Sequence, residues 1–312
     1  MKEVISTTNL TKIYGETYAV NKLNLSVKQG EIFGFIGLNG AGKTTTIRML
    51  LGLVKPTTGY CYLQGRRVNA GNTSIFRNVG YIVETPYSYP ELTVRENLEI
   101  VRKLRGMEDR DSVNWIIKKL KLEGYTSKRA GHLSLGNAQR LGIAKAIIHR
   151  PKILILDEPT NGLDPEGIVE VRQLLMNLAN NQGVTILVSS HKLEEISRLA
   201  TNISIIHNGC IIKELDKKQL EGQLKKVLLV GGEERNNMKS ILSEAGYRVV
   251  DEGIDFNDEI KPLQIQDDDA INSPEKIATL LVKAGHPPAL LKVRQEDLES
   301  YFLRVLKEAG EV

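Results

Sequence analysis

The sequence is short of cysteine, of long apolar runs and of any excess of one charge. Its two cysteines, Cys61 and Cys210, sit in apolar or turn contexts, so they read as reduced thiols and cannot build a zinc–cysteine insert. Lysine and arginine number 42 against 38 acidic residues, a net charge of +4. With no Lys/Arg block making one patch strongly positive, a dedicated nucleic-acid binder is disfavoured. Apolar stretches such as Ile153–Leu156 and Thr185–Val188 fall far short of the roughly 18 residues that span a bilayer. The opening Met1-Lys2-Glu3-Val4 lacks the charged-then-apolar pattern of a signal peptide. These absences lead us to expect a cytoplasmic chain with no membrane span of its own and no nucleic-acid partner. What is there is globular: 41% hydrophobic, 26% charged and about two average domains long.

Short apolar runs alternate with amphipathic ones. Glu31–Ile36, Lys152–Leu156 and Val184–Ser189 read as strands, and Lys43–Leu51, Gly167–Asn180 and Glu194–Leu199 as helices. That alternation predicts an α/β layer with a parallel sheet. The first thirty residues suggest antiparallel strands and turns. From about 92 to 150 the pattern becomes helical only, with Val94–Leu104, Val113–Leu120 and Ala138–Ile148 carrying apolar residues three and four apart. Trp115 falls among Val113, Ile116 and Leu120 at that spacing and is expected in the core. After Asp216 the texture shifts. Lys226–Val230, Tyr247–Val250, Leu263–Gln266 and Ala289–Val293 read as strands, with helices over Glu233–Ala245, Pro274–Ala284 and Glu296–Lys307. This β-α-β-β-α-β order suits a small ferredoxin-like α+β domain. The division expected is therefore 1–216 and 217–312. Asp267-Asp268-Asp269 lacks the alternation and glycine of a calcium loop and reads as a solvated turn.

Chemistry concentrates in the first part. Gly37-Leu38-Asn39-Gly40-Ala41-Gly42-Lys43-Thr44 follows an apolar strand and opens a helix, the setting that a phosphate-binding loop requires. Its glycines let backbone N–H groups converge on phosphate oxygens, Lys43 reaches the β/γ-phosphates, and the Thr44 hydroxyl ligates Mg²⁺. The strand Ile153–Leu156 ends in Asp157-Glu158, carboxylates placed where such sheets bind ligands. Asp157 should orient the Mg²⁺ shell and Glu158 should polarise the water that attacks the γ-phosphate. His191 follows a third strand; taken locally it suits a turn residue at least as well as a site residue.

In their order these residues resemble the nucleotide-binding subunit of an ABC transporter, over the N-terminus to about Asp216. Tyr14 matches the aromatic that stacks on adenine, Gly37–Thr44 the Walker A loop with Thr45 behind it, and Glu84 the Q-loop position. Leu133-Ser134-Leu135-Gly136-Asn137 matches the signature, Asp157-Glu158 the Walker B end, Asn161-Gly162-Leu163-Asp164 the D-loop, and His191 the switch histidine. The resemblance implies a P-loop ABC-type ATPase core with an antiparallel β subdomain and the helical insert. It also implies catalytic roles for Glu158, His191 and Lys43, with ATP and Mg²⁺ as cofactors. Ser134, Leu135, Gly136 and Asn137 would act in trans, so that two subunits sandwich two ATP molecules head to tail. A separate integral membrane permease would supply the cargo path and hold the homodimer at the inner face of the membrane.

Two departures stand out. Leu135 and Asn137 replace the first Gly and the Gln common in the signature, while Gly136 is retained. Glu84, in Val83-Glu84-Thr85-Pro86, stands where most members carry Gln, and as a carboxylate it would join Thr44 and Asp157 as a metal ligand. Gln139 or another residue compensating for it is the bland alternative. A Glu here is similar to the subgroup of bacitracin-resistance and lantibiotic self-immunity exporters, which also tends to carry a C-terminal extension of this size. The expectation is an ATPase subunit energising export of a peptide antibiotic. The alternatives are a soluble ABC ATPase acting on ribosomes or DNA, and an exporter of sodium or small drugs. Tyr87 and Tyr89, in the kinked Thr85–Pro90 stretch, are candidates for permease contact.

Overall fold

A computed structural model of the chain describes residues 2–69, 71–250 and 262–310. It divides into two compact units, Met1–Gln219 and Leu220–Val312.

The first unit opens with three strands, β1 (Glu3–Tyr14), β2 (Thr17–Leu23) and β3 (Ser26–Lys28), then β4 (Ile32–Ile36) and the helix α1 (Lys43–Leu50). β5 (Thr58–Leu63), β6 (Arg66–Arg67) and β7 (Val79–Ile82) precede the helices α2 (Val94–Leu104), α3 (Asp111–Lys119) and α4 (Leu135–Ile147). The unit closes with β8 (Ile153–Asp157), α5 (Pro165–Gln182), β9 (Thr185–Ser190), α6 (Leu193–Ser197), β10 (Asn202–His207) and β11 (Cys210–Asp216). One sheet runs β2-β1-β5-β6, with β3 also on β1, and is antiparallel throughout. The other runs β11-β10-β4-β9-β8-β7. Its strands from β10 to β7 are parallel, and β11 returns antiparallel at the edge.

Every residue of β4, β8 and β9 is buried. This is why their apolar runs are continuous rather than alternating: both faces are covered, and each buried Leu or Ile contributes about 1.5–3 kcal/mol. Because β4, β9, β8 and β7 are parallel neighbours, their carboxyl ends share one edge. Gly37, His191, Glu158 and the loop to Glu84 all leave the sheet there.

The helical insert is built from local signals. Thr93 and Glu96 form a reciprocal capping box that starts α2. Ser134 caps α4, which therefore begins at Leu135, three residues before the expected start at Ala138. Trp115 is a correction. Val113, Ile116 and Leu120 are buried, whereas the indole is only half-buried at the margin, with the Arg150 guanidinium 5.3 Å from its ring.

The helix α7 (Lys217–Gln223) leads into the second unit, whose elements are β12 (Lys226–Gly231), α8 (Arg235–Glu244), β13 (Val249–Val250), β14 (Leu263–Ile265), α9 (Asp268–Asn272), α10 (Pro274–Lys283), β15 (Leu290–Gln295) and α11 (Leu298–Glu308). Its sheet is antiparallel in the order β13-β14-β12-β15. Leu228, Val230, Leu263 and Ile265 of the sheet pack with Met238 and Leu242 of α8 and Ile277 and Leu281 of α10. The acidic triplet is not a free turn. Asp267 accepts the Arg248 backbone N–H at 2.8 Å and precedes α9, and Asp269 pairs with Lys276 of α10. Carboxylates at a helix start offset its exposed N–H groups.

Candidate nucleotide site

The loop between β4 and α1 turns through backbone angles that glycine adopts at little cost: φ is 84° at Gly40 and 105° at Gly42. A Cβ on Gly42 would lie 2.4 Å from the Ala19 carbonyl, so side chains are excluded where the loop meets β2. Leu38, Asn39 and Gly40 form an exposed crest; Gly37, Ala41, Gly42 and Lys43 are buried, and Thr44 and Thr45 half-buried. Lys43 Nζ donates to the carbonyls of Gly37 (2.7 Å) and Leu38 (3.2 Å). The loop thus curls around its own ammonium, and the N-terminus of α1 adds partial positive charge to the same place.

Two carboxylates converge on this loop from β8. Asp157 is buried; one of its oxygens accepts from Thr44 Oγ1 at 2.8 Å and the other from Ser189 Oγ of β9. Both carboxylate oxygens are thereby oriented by hydroxyl donors, each with a lone pair to spare. Glu158 turns the chain away with φ 49° and is held at the backbone by Ser189, whose carbonyl and hydroxyl each lie 3.2 Å from its N–H. Its side chain lies between two nitrogens, Lys43 Nζ at 3.6 Å and His191 Nδ1 at 3.0 Å. The sheet therefore brings Lys43, Thr44, Asp157, Glu158 and His191 together. Ser189, which sequence reading passed over inside a buried strand, ties two of them in place.

Glu84 is placed differently. It has φ 56° and its carboxylate receives Arg48 Nη2 of α1 at 2.6 Å, rather than the Thr44 hydroxyl. Gln139 is engaged elsewhere: that side chain is buried and donates to the carbonyls of Pro159 (2.9 Å) and Glu158 (3.4 Å). The strap beyond Glu84 is fastened to the insert. A Cβ on Gly142 of α4 would lie 2.3 Å from Pro86 Cβ, so only glycine lets the strap lie this close. Lys145 donates to the Tyr87 carbonyl at 2.5 Å, and the buried Asn97 of α2 bonds both the N–H and the carbonyl of Tyr89. Burial lowers the pKa of Lys145 from its ordinary value. Tyr87 and Tyr89 pack edge to face at 5.8 Å, and Tyr87 is 74% exposed.

The signature residues lie elsewhere. Ser134 Oγ accepts from Asn137 Nδ2 at 3.0 Å, and Leu135 is 64% exposed. A Cβ on Gly136 would lie 3.0 Å from the Gly162 carbonyl, so the start of α4 rests against the turn containing Asn161–Asp164. Among the described residues no hydrogen bond or ion pair joins Ser134–Asn137 to the phosphate-binding loop. Tyr14 ends β1, half-exposed, with Lys12 Nζ 4.8 Å above one face of its ring.

A family model described as ABC transporter matches residues 20–161. Over 310 residues the chain is 40% identical to the bacitracin transport ATP-binding protein BcrA of Bacillus licheniformis, covering 98% of each. The chain belongs to the ABC transporter ATP-binding family. Another member, the lantibiotic transport ATP-binding protein SrtF of Streptococcus pyogenes, is 39% identical over 66% of this chain and 88% of its own. Among solved structures, a dimeric bacterial ABC transporter cassette superposes with a TM-score of 0.64 at 28% identity, over 68% of this chain and 98% of that one. A cassette of this family has also been captured after hydrolysis with ADP and phosphate bound, and matches with a TM-score of 0.63 at 27% identity. The phosphate-binding loop, the buried aspartate and the strand-end glutamate are thus set in an ABC-family ATPase, the ATP-binding subunit of a transporter. Among the described residues no helix is long and apolar enough to cross a membrane.

Proposed function

We propose that this subunit hydrolyses ATP at the site built on β4, β8 and β9 to drive export of a bacitracin-type peptide antibiotic through a separate permease. One observation carries the cargo class. The match to a bacitracin transport ATP-binding protein runs through 98% of both chains, and so takes in the C-terminal unit, whereas the lantibiotic match spans 66% of this chain. Raised bacitracin tolerance in a susceptible host on co-expression with a permease encoded beside it in its own genome, and none without that permease, is the expected outcome. Unchanged tolerance with both proteins present at the membrane would reject the cargo.

Within the site, backbone N–H groups from Gly37 to Thr45 would bind the phosphates, Lys43 would bridge the β/γ oxygens, and Tyr14 would stack on adenine with the face opposite Lys12. The oxygen donors Thr44, Asp157 and Glu84 suit magnesium, which takes one or two carboxylates and completes its shell with phosphate oxygens and water. The described residues hold no group of three His, Cys, Asp or Glu that could bind a metal alone. That is the donor set expected where substrate completes the shell, and the metal would neutralise phosphate charge. Glu158 would accept the proton of the attacking water, and His191, 3.0 Å away, would hold its carboxylate in place. Glu158→Gln should retain ATP binding and lose turnover by about 10²-fold or more; undiminished hydrolysis would remove Glu158 from the mechanism.

Among the described residues Ser134–Asn137 make no hydrogen bond or ion pair to their own phosphate-binding loop, which supports their acting across a head-to-tail homodimer. Tyr87 and Tyr89 would contact the permease, placing the dimer on the inner face of the membrane. In the second unit, the order β13-β14-β12-β15, with α8 between β12 and β13 and α9 and α10 between β14 and β15, supports reading Leu220 onward as a ferredoxin-like accessory domain. We assign it to dimer contact.

A further inference from the structure

Of the three side chains read as metal ligands, two are joined and one is not. Thr44 and Asp157 lie 2.8 Å apart, while Glu84 is engaged 2.6 Å from Arg48. Arg48 and Thr44 are four residues apart on α1, hence on one face and one turn apart, about 5–6 Å. We propose that Arg48 is a positioning residue that holds Glu84 one helical turn behind Thr44, so that magnesium arriving with ATP acquires this carboxylate only by displacing the guanidinium.

Three features make the pair a latch with a low threshold. The strap is pinned two and three residues beyond Glu84, by Pro86 against Gly142 and by Lys145 on the Tyr87 carbonyl. The carboxylate therefore changes partner by rotating its side chain, not by moving the strap. The pair is solvent-accessible, 37% on Arg48 and 58% on Glu84, so it is weak, screened by salt and readily outcompeted by a dication. It also depends on charge: a neutral amide at position 84 would offer the guanidinium a hydrogen bond but no opposite charge, so Arg48 offsets the extra negative charge that Glu84 brings toward Asp157 and the phosphates. The outcome is a subunit whose metal requirement is set by Arg48 as well as by its ligands.

This inference rests on Glu84 being a metal ligand, and the experiment separates the two claims. Mn²⁺ binding to the full-length protein with a non-hydrolysable ATP analogue is followed by electron paramagnetic resonance, for wild type, R48A, R48K, E84A and R48A/E84A. R48A should lower the Mn²⁺ concentration at half-saturation by about two- to fivefold, and R48K should stay near wild type. R48A should do nothing further in the E84A background, and the wild-type-to-R48A gap should close at about 0.5 M salt. A raised Mn²⁺ requirement in R48A, no change in it, or the same shift in both backgrounds overturns the latch. E84A, which has no oxygen to offer the metal, binding Mn²⁺ as wild type does would instead overturn the ligand role of Glu84, and the latch with it.

Discussion

His149 shows how surroundings set a side chain's chemistry. Its Nε2 lies 3.2 Å from the Val79 carbonyl, its Nδ1 is buried with no hydrogen-bond partner among the described residues, and Arg105 donates to the same carbonyl. Burial, and secondarily the charge of Arg105, push its pKa from 6.5 down to about 4. The folded imidazole stays neutral where the unfolded one takes a proton. Its contribution is therefore intact above pH 6.5 and is lost as pH falls toward 4, by up to about 3 kcal/mol. His149→Gln keeps an N–H donor and cannot titrate, so the variant's acid slope should flatten in that window. Urea unfolding followed by Trp115 fluorescence checks it, and an unchanged slope would count against the assignment. Cys61 has the opposite environment for an acid: burial pushes its thiol up to about 12, which keeps it unreactive at neutral pH. The Walker-type residues were legible because their chemistry demands fixed types at fixed spacing. Ser189, Arg48 and Gln139 were not, because nothing in a serine, arginine or glutamine marks its partner. Only the four-residue step from Thr44 to Arg48 hinted that the two share a face.

At the scale of elements, α4 does more than its sequence suggests. Its start carries Ser134–Asn137, Gln139 ties it to the turn after β8, and Gly142 and Lys145 fasten the strap that begins at Glu84. In an exposed helix, glycine to alanine stabilises by roughly 1 kcal/mol. Here the added methyl would sit 2.3 Å from Pro86 Cβ. Gly142→Ala should instead cost about 1–3 kcal/mol by overpacking, and should slow ATP turnover because the displaced strap carries Glu84. Thermal unfolding and ATPase assays test the pair of effects; a raised melting temperature with normal turnover would contradict this account. Element types were read well from periodicity, since burial on both faces gives β4, β8 and β9 continuous apolar runs, broken only toward their ends by residues such as Asp157 and Ser189. Ends were read less well. α4 starts earlier than its apolar spacing indicates because the Ser134 cap, not hydrophobicity, decides where it begins.

For the molecule as a whole, each unit has its own apolar cluster. One is built around residues such as Ile5, Leu10, Phe35 and Leu50, the other around Leu228, Leu242 and Leu281. A chain ending at Gln219 should therefore fold and bind ATP. If the second unit is a dimer contact, that truncated chain should show weaker ATP-driven dimerisation of the Glu158→Gln variant by analytical ultracentrifugation. An unchanged monomer–dimer equilibrium would reject the role.

The sequence alone determined that a phosphate-binding ATPase core lies in the first two thirds of the chain. Glycines, a lysine and paired carboxylates at fixed spacing leave little else for a backbone to do. It also marked Glu84 as unusual. Only the tertiary structure decided what Glu84 touches, that Ser189 directs Asp157, and that Trp115 sits at the margin of the core. Those outcomes depend on which strands lie side by side and which helix face meets which loop, and contacts between residues distant in the chain leave no local pattern to read.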